Sequence, residues 1–345
     1  MKLVTCTRVA VGALGAMVLV AACGSESDDG SAGTDSVKVR IALVSNTTGF
    51  ADALVAYGGG FFEDHGLDAE LLAPIPQPAT ILQTAVSGEA DITGVPPSSV
   101  FAADETNREV SVVARTANTP TSVVVATSDF VERQNANGVT VDSSPEERVK
   151  ALDGALMGVA ARGPGGEAAY RALFDHYDVP VDDDRFAAVG GGPTGLDAAI
   201  KTQQVDTVYT GLPAGLNPGA EGYGDVWLGP QDYAELEPWT AGTFCYVSST
   251  SWADEHPEAV EGFQAALDEA RELITDDPAE AARLFLKVAT EEDPARTEEA
   301  FRMIQGSYEG SSLMDEDYFE KNRIMYDTVA DRPSDLSYEK AVWAR

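Results

Sequence analysis

The chain has 345 residues, 44% of them hydrophobic, enough for two ordinary domains with packed cores. Lysine and arginine number 23 against 57 acidic residues, a net charge of −34, which argues against nucleic acid because its phosphates reward positive charge. Spread over a surface, such an excess mainly favours solubility and is screened within about 8 Å in physiological salt, so it names no ligand.

Residues 1–22 have the pattern of an export signal. Lys2 and Arg8 form a positive start, and the apolar run from Val9 to Val20 is shorter than the roughly 20 residues a membrane span needs. Val20-Ala21-Ala22-Cys23 resembles a bacterial lipobox. That resemblance implies cleavage before Cys23, a lipid on its thiol and anchorage outside the cytoplasm; ordinary secretion with cleavage near Ala22 is the alternative. Residues 23–36, rich in Ser, Gly and Asp, read as a flexible tether. Cys6 leaves with the signal and Cys23 is claimed by lipid. Cys245, within the apolar FCYV, then reads as a small buried hydrophobe that can form neither an internal disulfide nor a Cys-rich metal site.

Val37 to Val44 is the first expected strand, Ser45 to Phe50 its turn, and a helix runs from Ala51 into Gly58–Gly60. A strand at Ala69–Leu72, a helix from Pro78, a strand at Ala90–Gly94 and a short helix after Pro96-Pro97-Ser98 follow. Strands near Val110–Ala114 and Val123–Ala126 flank a link around Asn118–Pro120. Ser144-Pro145-Glu146-Glu147 has the capping hydroxyl, first-turn proline and carboxylate of a helix start. Leu156–Val159 is the next strand, Arg162–Gly166 its turn and Glu167–Tyr177 its helix. Strands at Val205–Tyr209 and Val226–Leu228 bracket a Gly- and Pro-rich loop, and Trp239–Val247 reads as a return crossing. Beyond Asp254 only helices are expected. The first is opened by His256-Pro257, with Val260, Phe263, Leu267, Ala270 and Ile274 on one face.

The chain repeats itself. When Asp91 is set over Asp206, Ile81 falls on Leu196 and Ala85 on Ile200; at the same offset Arg40 falls on Ala155 without a gap, strand over strand and turn over turn. Such a repeat predicts two similar α/β lobes with parallel-dominated sheets around a ligand cleft, followed by C-terminal helices. The expected division is 37–119 plus 245–345 for one lobe and 120–244 for the other, with the crossings near Asn118–Pro120 and Thr240–Phe244 as hinge.

Ligands of open α/β sheets lie beyond the carboxyl ends of the strands. That rule selects Asn46, Thr48 and Phe50; Gly94, Val95 and Pro96; Asn118; Arg162 and Gly165; and Thr210 and Gly211. Arg162, in a glycine-rich turn at a helix start, is expected to hold an anionic group; the competing reading puts it on the rim against Glu167. Catalytic patterns are scarce. His65, His176 and His256 read as surface or capping residues, Asp182–Asp184 as a solvated turn, and Gly190-Gly191-Gly192-Pro193 has no lysine after it to make a phosphate loop. No cofactor and no metal are expected.

GGFFEDHGLDAEL, AVSGEADITGV and KTQQVDTVYTGLP, in that order, resemble the extracytoplasmic solute-binding proteins of ABC importers. The branch they resemble serves nitrate, alkanesulfonates, taurine and thiamine-pyrimidine precursors, and the similarity spans roughly Val37 to Asp327. It implies a type II periplasmic-binding-protein fold, a small-molecule solute, permease and ATPase partners, a lipid link to the membrane, and no reaction on the ligand. The chain departs from that branch at Val95-Pro96-Pro97 and in the Leu212–Tyr223 loop. A pyrimidine synthase shares the fold family, but its cysteine cluster has no counterpart here. A secreted enzyme and a non-transport sensing lipoprotein are the alternatives.

Overall fold

Two five-stranded sheets carry the structure, a computed structural model that describes residues 36–162, 165–233, 243–327 and 333–344. The signal, Cys23, nearly all of the tether, Gly163-Pro164, and Trp239 with the other residues of the return crossing up to 242 lie outside the described residues. The first sheet is ordered β2-β1-β3-β10-β4, with β1 Val37–Leu43, β2 Leu67–Leu71, β3 Ile92–Val95, β4 Val110–Arg115 and β10 Cys245–Ser249. The second is ordered β7-β6-β8-β5-β9, with β5 Ser122–Thr127, β6 Met157–Val159, β7 Phe186–Ala188, β8 Thr207–Gly211 and β9 Gly224–Leu228.

The sheets are mixed, where the repeat predicts mainly parallel pairing. β1 runs parallel to β2 and β3, and β6 parallel to β7 and β8. β10 and β5 run antiparallel to both of their neighbours. The reason lies in the connections: β5 follows the first crossing out of the first sheet, and β10 follows the second crossing back, so each enters its sheet reversed.

The repeat holds with one shift. Ile81 and Ala85 pack into the core from the helix Pro78–Ser87, as Leu196 and Ile200 do from Gly192–Lys201. Asp91 Oδ2 accepts the backbone N–H of Arg40, whereas Asp206 Oδ2 accepts that of Leu156, so Arg40 corresponds to Leu156 rather than to Ala155.

Local signals explain most elements. Ser144 and Glu147 close a reciprocal capping box at the helix Pro145–Lys150. Asp277 and Asp293 accept N–H bonds at the starts of Pro278–Phe285 and Pro294–Ile304, each with proline in the first turn. The five residues of the His256-Pro257 face are all fully buried on the helix Pro257–Asp276. The Gly- and Pro-rich loop is more ordered than its composition implies, since it folds into a 3-10 turn at Ala214–Leu216 and a helix at Asn217–Glu221. One apolar cluster joins the sheets, running from Leu43, Phe50 and Tyr246 to Val123, Val208 and Leu212. Among the described residues no helix is long and apolar enough to cross a membrane.

Candidate functional site

The carboxyl ends of β1 and β8 meet. Thr48 begins a 3-10 turn and donates both its backbone N–H, at 3.2 Å, and its hydroxyl, at 3.1 Å, to the carbonyl of Leu212. Gly211 lies against Thr47, and a Cβ added there would stand 3.8 Å from the threonine Cβ. Segments 46–48 and 210–212, selected from opposite repeats, therefore come together. Two side-chain acceptors in these segments, Asn46 Oδ1 and Thr210 Oγ1, are buried without a hydrogen-bond partner. Buried polar atoms are nearly always paired, so orphans at the junction of two sheets mark a place where a partner is missing.

Gly94 belongs beside this junction for a steric reason. A Cβ there would fall 2.4 Å from Phe50 Cε1 and 2.8 Å from Leu43 Cδ2, so glycine lets β3 pass the ring. Phe50 and Val95, selected as ligand contacts, are instead fully buried in packing. Phe50 packs against Phe244 of the return crossing, ring centroids 4.5 Å apart and planes tilted by 39°, and Val95 lies in a separate apolar cluster with Ala42 and Val247. Strand alternation is the reason: β3 turns Gly94 toward the Phe50 side and Val95 toward the opposite face. Pro96 is half-buried and leads into the helix Ser98–Glu105.

Asn118 is held rather than open. Its Oδ1 accepts from both Arg115 and Arg271, its Nδ2 donates to Glu309 O at 2.6 Å, and its N–H donates to Ser307 O at 2.6 Å. Arg271, fully buried, also donates to the carbonyls of Thr116 and Gly310. It thereby ties the first crossing to the C-terminal helices. Its Nη1 lies 3.7 Å from Asp52 Oδ2, too far for a good hydrogen bond. Asp52 Oδ1 accepts from Tyr246 Oη at 2.6 Å and from the Ala53 N–H at 2.9 Å. Burial raises the Asp52 carboxyl to about 6 despite Arg271 and these donors. Burial, and then the neighbouring Arg271 charge, lower the Arg115 pKa. None of Asp52, Tyr246 and Arg271 is among the residues selected from sequence, because their meeting depends on contacts across most of the chain.

Arg162 points to Glu167, as the rim reading has it. Nε and Nη2 donate to the carboxylate at 2.6 and 3.1 Å, and Nη1 donates to Phe186 O at 3.3 Å. Glu167 is buried and also receives Arg171, which reaches Asp183 as well. The Glu167 carboxylate holds the Arg162 pKa above its usual value. Gly165, at φ +90, caps the helix Gly166–His176.

The remaining candidates for chemistry are occupied structurally. Cys245 is buried, its thiol pushed up by burial and directed at Val95 O. His65 pairs with Glu269, and His256 bonds the Trp252 carbonyl at the start of its helix. No group of three or more metal-binding side chains occurs among the described residues.

A family model described as NMT1/THI5 like matches residues 47–281. No curated protein matches the sequence. Solved structures share the fold at low identity. The ligand-binding component of an ABC-type import system from Staphylococcus aureus, solved with zinc bound, is 10% identical at a TM-score of 0.68, with 89% of this chain and 96% of that one covered. The periplasmic aliphatic sulphonate binding protein SsuA from Escherichia coli is 12% identical at 0.67, covering 89% and 97%. The periplasmic nitrate-binding protein NrtA from Synechocystis PCC 6803 is 14% identical at 0.58, covering 82% and 75%.

Proposed function

Because the chain belongs to the NMT1/THI5-like family, we propose that it is the solute-binding component of an ABC-type importer, capturing a small polar solute between two lobes and delivering it to a permease. The observation that carries this reading is the meeting of two strand ends from opposite sheets at Thr48 and Leu212, with unpartnered acceptors in both segments. Strand ends with small residues are where α/β sheets take ligands. Solved proteins of the same fold support it: one is named as the ligand-binding component of an ABC-type import system, and two as periplasmic sulphonate- and nitrate-binding proteins.

On this reading the lobes divide at 119 and 244, and the two crossings form the hinge. The protein performs no reaction on its solute. Binding energy goes into the closed form, which the permease recognises. A lipid on Cys23 holds the protein outside the cytoplasm. The anion expected at Arg162 loses its main support, since that guanidinium is already engaged by Glu167.

The test combines a thermal-shift screen of small polar solutes with solution scattering. A solute at about 100 times its dissociation constant adds roughly 2.7 kcal/mol of stability. It is expected to keep the particle compact, and Thr48→Val, which removes the hydroxyl bond to Leu212, is expected to enlarge the ligand-free particle. A ligand-free Thr48→Val protein no larger than wild type, or one that stays enlarged once solute is bound, contradicts hinge closure.

A further inference from the structure

The positive charges near the Thr48–Leu212 junction have their partners already. Residues 41–107 contain no lysine or arginine, and neither do residues 202–270. Those two stretches hold the turn after β1, the end of β3, the end of β8 and the whole return crossing. Arg162 belongs to the remaining candidate turn, and its donors go to Glu167 and Phe186 O. Arg148, buried near the end of β9, pairs with Asp232 and donates to Trp227 O at 2.7 Å. Arg115 and Arg271 converge on Asn118 and on the carbonyls of Leu313, Thr116 and Gly310. The Thr48 N–H is given to Leu212 O.

What the junction offers is one carbonyl acceptor and one hydroxyl, which both accepts and donates: Asn46 Oδ1 and Thr210 Oγ1 are buried and unpartnered, and Thr210 is only 8% exposed. An oxyanion placed here loses its hydration and finds no free positive charge, with only neutral donors such as the Thr210 hydroxyl to replace its water, a costly exchange. An uncharged solute that donates N–H or O–H groups satisfies the same atoms at no charge cost. Resting on the solute-binding reading above, we infer that the solute is uncharged, donates a hydrogen bond to Asn46 Oδ1 and pairs with the Thr210 hydroxyl. This separates it from the sulphonate and nitrate named for the structural neighbours.

The probes are nicotinamide, adenine, cytosine and erythritol on one side, and nitrate, ethanesulfonate and benzoate on the other. Each is titrated by calorimetry and thermal shift into wild type, Asn46→Leu, Thr210→Val and Arg162→Gln. An uncharged probe is expected to bind. Asn46→Leu should weaken it by about tenfold, the loss of one to two hydrogen bonds, while Arg162→Gln stays within about twofold. Thr210→Val, close in shape to threonine, reads the second acceptor should Asn46→Leu fold poorly. Binding of an anion that is lost in Arg162→Gln overturns the inference, as does an uncharged probe held equally by wild type, Asn46→Leu and Thr210→Val. If no probe binds, the protein purified from its own host is denatured and the released small molecule is identified by mass spectrometry. An uncharged, donor-bearing molecule supports the inference. An anion overturns it and leaves the solute-binding reading standing. No molecule at all overturns that reading, and the inference with it.

Discussion

Asp91 holds Arg40 twice: Oδ2 accepts the Arg40 backbone N–H at 2.7 Å, and the same carboxylate takes the guanidinium through Nε at 3.0 Å and Nη2 at 2.6 Å. In the second repeat Asp206 accepts the Leu156 N–H at 2.9 Å and pairs with Arg133, an arginine from a different element. The backbone bond, which pins the entry of β3 or β8 beside its neighbouring strand, is the shared part. The ion pair is not.

The two carboxylates should therefore differ in worth. The Asp91 side chain is 7% exposed, whereas Asp206 is 27% exposed with a more exposed partner. Asp91→Ala is expected to cost about 2–4 kcal/mol and Asp206→Ala about 1–2 kcal/mol. Urea unfolding of both variants measures this, and the reverse order would contradict the assignment.

The turns before those carboxylates share a backbone conformation but not a residue. Gly88 sits at φ 71 and Gln203, its counterpart in the repeat, at φ 54. A side chain in the left-handed region costs roughly 1 kcal/mol. Gln203→Gly should stabilise the protein by about 0.5–1 kcal/mol. Gly88→Gln should destabilise it by about 1 kcal/mol through the backbone alone, since a Cβ there meets nothing within 4 Å. Thermal unfolding of both variants checks the pair; a destabilised Gln203→Gly refutes it.

Asp52 predicts a pH dependence. Its folded carboxyl lies at about 6, above the ordinary 3.8, so the folded state binds the proton more tightly. That contribution to stability is complete below about 4 and is lost as the pH rises through about 6. Wild type should thus gain on Asp52→Asn by on the order of 1–2 kcal/mol when the pH falls from about 7 to about 4.5. Urea midpoints of both proteins at the two pH values provide the measurement. A difference that does not change with pH removes Asp52 as the titrating group.

Cys23→Ser should move the protein from the membrane fraction to the soluble fraction and abolish labelling by a radioactive fatty acid. A wild type that takes up no fatty acid, with a variant that still pellets with membranes, rules out the lipid anchor.

The sequence by itself carried the repeat, eight of the ten strands, most of the longer helices, the capping box at Ser144, and the buried face that begins at Val260, though not β7 or the helix Ser128–Ala136. Each of these is written within a few residues: strand alternation, helical spacing, a cap three residues from its partner, a left-handed turn. Five residues selected from strand ends by the carboxyl-end rule, Asn46, Thr48, Gly94, Thr210 and Gly211, belong at or beside the junction for the same reason. The tertiary structure alone decided which way their neighbours face and what they hold. Phe50 and Val95 went into packing because β3 passes the Phe50 ring at Gly94. The antiparallel β5 and β10 and the meeting of Asp52 with Arg271 follow from the path of the chain between the sheets, and the shift of Arg40 onto Leu156 shows only in which backbone N–H each aspartate holds. Local periodicity fixes an element's kind and its inward face. A pairing between residues two hundred positions apart depends on the path between them, which no local pattern records.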